Sequence, residues 1–217
     1  MHAAYRHLED LPQLIPVFPL DGALLLPGGE LPLNIFEPRY LNMVDDAMAQ
    51  DRVIGMIQTR GGSREHPGLV SVGCLGRITA FAETSDGRYL ITLTGVCRFT
   101  AGEELQIKTP YRQVRADYRR FVADLKEEAA AEAFERDRFL SALKAYLNQR
   151  DLDVDWETAS AAPADALVNS LAMGLPFDPA EKQALLEAPT LADRCAILTA
   201  LLEIDGALDD DEPPSLQ

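Results

Sequence analysis

An α+β fold is predicted, with a β-rich first half carrying one packed helix and a second half built as a helical bundle. Three observations predict it. Residues 14–122 are rich in β-branched residues, glycine and turn signals, whereas residues 123–205 turn alanine- and leucine-rich with few glycines. The segment "ETSDGRYLITL" places Asp86-Gly87 between two strand-like runs, and that dipeptide supplies the positive φ angles a tight hairpin turn demands. Several runs in the second half repeat apolar residues at helical spacing. The expected organisation is a β-rich subdomain at 14–122, a helical subdomain at 123–205 and an acidic tail at 206–217.

Strands are expected near Ile15–Leu20, Leu31–Phe36, Val53–Gln58, Val70–Thr84, Tyr89–Ala101 and Gln106–Tyr118. Pro32 has no backbone donor, so its strand belongs at a sheet edge or carries a bulge. The helix of the first half starts at Pro38, where a missing N–H costs nothing, with Glu37 at the positive end of the helix dipole. Tyr40, Leu41, Val44, Ala47 and Met48 form its apolar stripe.

In the second half, Phe139, Leu140, Leu143, Tyr146 and Leu147 mark a first helix of about 25 residues. The segment "PADALVNSLAMG" makes a second, with Gly174 as its C-terminal cap. Asp178, Pro179 and Glu181 open a third by a capping box, and Pro189 ends it. Thr190 caps a fourth, on which Leu191, Cys195, Leu198 and Leu202 share one face.

Charge and composition narrow the function. The chain has 217 residues, 20 basic against 35 acidic side chains, a formal net charge of −15 and a pI of about 4.5. Such a field repels phosphate backbones and anionic membrane surfaces. No run reaches the roughly 18 apolar residues of a membrane span, so a cytoplasmic location is expected. The lone cysteines Cys74, Cys97 and Cys195 offer neither a disulfide framework nor a zinc site, and they read as core residues. His2, His7 and His66 have no second ligand at helical spacing, so no metal and no cofactor are expected.

The segment "LPLNIFEPRY" at Leu31–Tyr40 raises the sharpest chemical question, since an acid, an arginine and a tyrosine fall within four positions. Tyr40 belongs to the core stripe, which leaves Glu37 and Arg39. Arg39 is suited either to pairing with an acid that fixes the strand-to-helix junction or to gripping a ligand carboxylate. No nucleophile–base pair accompanies them, and no catalytic residue is assigned. None of Lys108, Lys126, Lys144 and Lys182 follows a glycine, so a phosphate-binding P-loop is absent. Lys126, Lys144 and Lys182 fall on amphipathic helices beside solvent-type residues.

Three segments occur in an order that resembles the N-terminal domain of Lon, the ATP-dependent protease. They are "PVFPLDGALLLPGGELPLNIFEPRYLNMVDDAM", "GCLGRITAFAETSDGRYLITLTGVCRF" and "ADALVNSLAMGLPFDPAEKQALLEAPTLADRCAILTALLEID". The resemblance spans about Leu14 to Asp205 and includes a G-x-x-R-F strand at Gly95, Arg98 and Phe99. It implies a PUA-like pseudo-barrel followed by a helical bundle, and a non-catalytic role in recognising unfolded polypeptide segments or a partner protein. In Lon, ATP hydrolysis and peptide cleavage belong to other modules. Glu37, Arg39 and Arg98 are the candidate partner-binding or clip residues. The alternatives are a PUA-like RNA-binding protein and a small-molecule-binding module. For RNA, "YRQVRADYRRF" gathers Arg112, Arg115, Arg119 and Arg120, but Asp117 interrupts the run and the net charge opposes it.

Overall fold

The computed structural model describes residues 5–62, 67–126, 135–150 and 156–208. His2, His66 and residues 209–217 of the expected tail lie outside the described residues. The chain divides into two compact units, one formed by Met1–Glu128 with Pro176–Leu186 and the other by Ala129–Leu175 with Glu187–Gln217.

The sheet strands of the first unit are β1 (Leu14–Pro19), β2 (Glu30–Ile35), β3 (Val53–Ile57), β6 (Val72–Glu83), β7 (Tyr89–Glu104) and β8 (Arg112–Asp117). They form a mixed sheet in the order β2-β7-β6-β3-β1-β8, with β7 also paired to β8. The second β7 pairing closes β1, β3, β6, β7 and β8 into a pseudo-barrel. One length of β7, Tyr89–Thr94, holds β2, while Thr100–Glu104 holds β8. Gly95 lies between these two stretches. A side chain there would sit 2.0 Å from the Leu26 carbonyl oxygen, so only glycine lets the loop before β2 cross so close. Among the described residues strand β2 pairs with β7 alone and forms the edge of the sheet, which suits Pro32 in its middle. Residues 84–88 turn β6 into β7; Gly87 takes the expected positive φ, 78°, but Asp86 does not, so the turn is longer than the two-residue one expected.

Ile15, Val17, Leu75, Phe99 and Val114 fill the barrel, and Ile54, Met56 and Leu93 are buried on the other face of the sheet. Gly55 and Gly73 make room for Phe99, since a Cβ at Gly73 would lie 2.7 Å from its ring. Helix α1 (Pro38–Ala49) packs on β1 and β3. Its buried stripe is Tyr40, Met43, Val44 and Ala47; Met43 belongs to the core, whereas Leu41 and Met48 at the margins of the expected stripe are half-buried. The stripe is therefore rotated slightly from the expected one.

Two expectations about the strands change. The Gly-rich segment expected as a loop pairs at its ends as β4 (Thr59–Gly62) and β5 (Pro67–Leu69). Strand β8 begins at Arg112 rather than near Gln106, because Pro110 supplies no donor and only the Leu105 N–H reaches forward, to the Gln113 carbonyl. Past β8, a 3-10 turn covers Arg119–Leu125.

Helix α5 (Pro179–Glu187) was expected with the helical half, yet Pro176–Leu186 cluster with the barrel. Polar side chains hold it there. The Gln58 amide donates to the Pro179 carbonyl at 2.9 Å and to Gln183 Oε1 at 3.1 Å; Gln183 donates to the Val72 carbonyl at 3.1 Å. Lys182 Nζ donates to the Gly22 carbonyl at 2.8 Å. Lys182 is buried, contrary to the solvent-facing position expected of it, and burial lowers its pKa.

The second unit holds α2 (Arg136–Gln149), α3 (Trp156–Ala161), α4 (Ala164–Gly174) and α6 (Leu191–Leu208). Phe139, Leu143, Tyr146, Leu147, Val168, Ala172, Cys195, Leu198 and Leu202 form its core. The expected first helix is 14 residues long in α2, and residues 127–134 before it lie outside the described residues. Gly174 is the last residue of α4 and not a left-handed cap; Leu175 follows in extended backbone. Thr190 caps α6 by a reciprocal pair, Asp193 N–H to Thr190 Oγ1 at 3.1 Å and Thr190 N–H to Asp193 Oδ2 at 3.2 Å. Helix α6 continues to Leu208, past the expected start of the tail.

Candidate functional site

The strand-to-helix junction is built as its sequence suggests. The Glu37 carbonyl accepts the Tyr40 and Leu41 N–H groups, which starts α1. The Glu37 side chain makes no cap hydrogen bond. It turns instead to Arg39, whose Nε and Nη2 lie 2.9 and 2.8 Å from Glu37 Oε2. Both side chains are exposed, at 49% for Arg39 and 42% for Glu37. The Arg39 guanidinium also sits 4.5 Å from the centre of the Tyr40 ring, which packs on Phe18.

Arg98 lies in the opposite environment. It is 4% exposed, and its Nε and Nη2 grip both oxygens of Asp124 at 2.9 and 2.7 Å. Its backbone N–H donates to Asp124 Oδ2 at 3.0 Å, and Nη1 donates to the Leu186 carbonyl at 3.1 Å. The guanidinium stands 4.8 Å from the Phe121 ring centre. Burial acts to lower the Arg98 pKa, but the hydrogen bonds and charge of Asp124 outweigh it and raise the value. Arg98 thus joins β7, the 3-10 turn after β8 and the end of α5. The three candidate residues do not meet: Glu37 and Arg39 form one surface pair, and Arg98 is enclosed elsewhere with Asp124.

The arginines of "YRQVRADYRRF" do not form one basic face. Arg112 grips Glu104 through Nε and Nη2, each at 2.6 Å, and Arg119 pairs with Asp117. The Arg120 guanidinium lies 5.2 Å from the Phe121 ring centre. Burial pushes the Cys97 thiol up to about 12 and Cys74 well above its usual range, which disfavours the thiolate a nucleophile needs. Among the described residues no group of three or more His, Cys, Asp or Glu could hold a metal ion, and no helix is long and apolar enough to cross a membrane.

Sequence reasoning missed the feature best suited to contact with another molecule. The register across β2, β7 and β6 sets rows of neighbours on the solvent face: Glu30–Thr94–Arg77, Pro32–Thr92–Ala80 and Asn34–Leu90–Ala82. The opposite face of the same strands carries buried Ile35, Ile91, Leu93 and Ile78. Two cavities lie along the rows, of about 580 and about 430 Å³, and they share Ala80 and Thr92 in their linings. Together they form one trough. One half is apolar, with Pro32, Leu90 and Ala82; the other is polar, with Glu30, Arg77, Thr79, Thr94 and Tyr5. Phe81, paired with Ile91, belongs to the opposite face, while Phe36, one residue past β2, is 64% exposed and Leu90 is exposed as well. Such a run of apolar side chains beside an edge strand is suited to holding an extended chain.

Comparison with known proteins supplies the lineage. Residues 14–203 match the family described as the ATP-dependent protease La (LON) substrate-binding domain. Lon protease 2 of Myxococcus xanthus is 33% identical over 112 residues, covering 50% of this chain and 13% of that protein. Lon protease 2 of Sorangium cellulosum (strain So ce56) is 26% identical over 206 residues, covering 87% of this chain and 24% of that protein. The chain therefore spans at most about a quarter of the length of these relatives. The crystal structure of a Lon N-terminal domain protein from Xanthomonas campestris has the same fold, with a TM-score of 0.62 at 22% identity, covering 86% of this chain and 97% of that one. The N-terminal domain of a Mycobacterium avium complex Lon protease aligns with a TM-score of 0.61 at 19% identity, covering 87% of this chain and 97% of that one. A mixed sheet with this strand order, the G-x-x-R-F strand locked by Asp124, and a family match across residues 14–203 lead to one assignment: the chain belongs to the family of Lon substrate-binding domains.

Proposed function

We propose that this chain is a non-catalytic module that recognises unfolded or extended polypeptide on the solvent face of β2, β7 and β6. The observation that carries the reading is the trough, whose apolar half presents Leu90 and Pro32 to solvent and ends near exposed Phe36. Membership of a substrate-binding family supports it. The pairing of Arg112 and Arg119 with carboxylates favours polypeptide over RNA as the ligand. In this reading Glu37, Arg39 and Arg98 are clips that hold the fold, and none of them touches the bound chain.

The test uses a permanently unfolded probe, reduced and carboxymethylated α-lactalbumin, with Phe36→Ser and Leu90→Ser variants. Each substitution removes an exposed side chain, so melting temperatures should stay near that of the wild type. Affinity should fall by roughly tenfold for either, as for a central apolar contact. Wild-type affinity in both variants would remove the trough from the reading. ATP or casein hydrolysis that disappears on mutation of a residue of this chain would overturn the non-catalytic assignment.

A further inference from the structure

The polar half of the trough has walls of opposite charge that do not meet. Glu30 and Arg77 both pair with Thr94 across the sheet, one from each neighbouring strand. Two strand spacings separate them by about 10 Å between Cα atoms. Neither forms an ion pair with the other or with any other described residue. Arg77 donates from Nη1 to the Tyr5 hydroxyl at 3.0 Å, which engages one of its five N–H donors. Between the two walls lie the Thr79 and Thr94 hydroxyls, 2.9 Å apart. In a chain with 35 acidic side chains, a half-buried arginine without a carboxylate partner on the wall of a groove is an unspent recognition element.

Resting on the polypeptide-binding reading, we propose that the trough selects extended segments in which two adjacent residues carry opposite charges, the acidic one set against Arg77 and the basic one against Glu30. The geometry supplies the reason. Successive side chains of an extended segment point to opposite sides, so neighbouring residues reach opposite walls. Like charges on either neighbour meet repulsion at one wall, which makes the pair a selective element rather than a general attraction. Leu90 and Thr94 are four residues apart on β7, which sets the charge pair about 13 Å from the apolar anchor, or roughly four residues along an extended ligand.

Acetylated and amidated ten-residue peptides test this without free termini. One carries a Leu-Val-Phe run spaced four residues from a Lys-Glu pair; a second carries Ser-Ser in place of the pair; a third carries Glu-Lys. The Lys-Glu and Glu-Lys peptides present opposite charge orders, and one of them should bind about tenfold tighter than the Ser-Ser peptide at low salt, with the advantage shrinking as salt screens it. Arg77→Gln and Glu30→Gln should each reduce that advantage, and the double exchange Arg77→Glu with Glu30→Arg should transfer it to the other charge order. Binding of all three peptides with equal affinity sinks the charge selection and leaves polypeptide binding standing. Binding of none sinks both readings. Retention of the advantage in both single variants, with their melting unchanged, sinks the assignment to Arg77 and Glu30.

Discussion

Two arginine–carboxylate pairs, Arg39–Glu37 and Arg98–Asp124, share their chemistry and differ in their surroundings. The first is made by residues two positions apart and stands in water; the second joins residues 26 positions apart and is almost wholly enclosed. Water screens the first pair and competes for its donors, so its formation changes the free energy little. The second has exchanged hydration for a bidentate carboxylate, a backbone carbonyl and an aromatic face, and loss of either partner strands a charge in a site that cannot solvate it. The same side chain is therefore a minor ornament in one place and a structural joint in the other.

The largest effect is expected for Arg98→Ala. It leaves Asp124 buried without its counter-charge, and urea unfolding should show a loss of about 3–5 kcal/mol. A loss below 1 kcal/mol would show that the site admits water and that the contrast with the surface pair is false. Replacing both partners, with Arg98→Met and Asp124→Leu, sharpens the comparison. The double variant should recover a substantial part of the single variant's loss, because no charge is then buried. Recovery should stay incomplete, since the residue 98 N–H and the Leu186 carbonyl lose their partners.

Arg39→Ala comes next, with an expected loss below about 1 kcal/mol by the same measurement. A double-mutant cycle with Glu37→Ala should give a coupling in that range, and a coupling above 2 kcal/mol would break the comparison from the other side.

The smallest effect belongs to a third pair, Arg88–Asp86 at the β6–β7 turn, which is also exposed. Hydrogen bonds from Arg88 and then from the Thr84 hydroxyl hold the Asp86 carboxyl down at about 2. A depressed folded value means that the pair contributes fully above the ordinary carboxylate value of about 3.8 and is lost as pH falls towards 2. The side-chain carboxyl resonance of Asp86 should titrate with a midpoint near 2; a midpoint near 4 would show that the pair does not persist in solution.

Much of the fold is legible where a local rule governs it. Asp86-Gly87 demanded a hairpin, Pro32 demanded an edge, and Thr190 demanded a helix start, and each is determined by residues within a few positions. The misses come from non-local causes. Lys182 looks like a solvent residue because its partner, the Gly22 carbonyl, is distant and no periodicity reveals it. Gly174 looked like a cap, but the chain leaves α4 through extended Leu175. Of the candidate site, Glu37, Arg39 and Arg98 stand out as chemistry-bearing types. The partner of Arg98 was not visible, because nothing near it in sequence marks Asp124. The trough was invisible for a related reason: it depends on the register of three strands, which brings Glu30, Thr94 and Arg77 into one row.

The attachment of α5 has a consequence for biosynthesis. The Gln58–Gln183 and Lys182–Gly22 bonds link positions 125 and 160 residues apart. A ribosome that has delivered β8 has therefore not yet delivered the helix that completes the barrel unit. During the interval in which residues 129–175 emerge, Gln58, the Gly22 carbonyl and Arg98 Nη1 must be served by water or a chaperone. Long-range closures of this kind slow folding, so a released chain truncated before residue 176 should stay unfinished and bind chaperones more avidly than one truncated after residue 187.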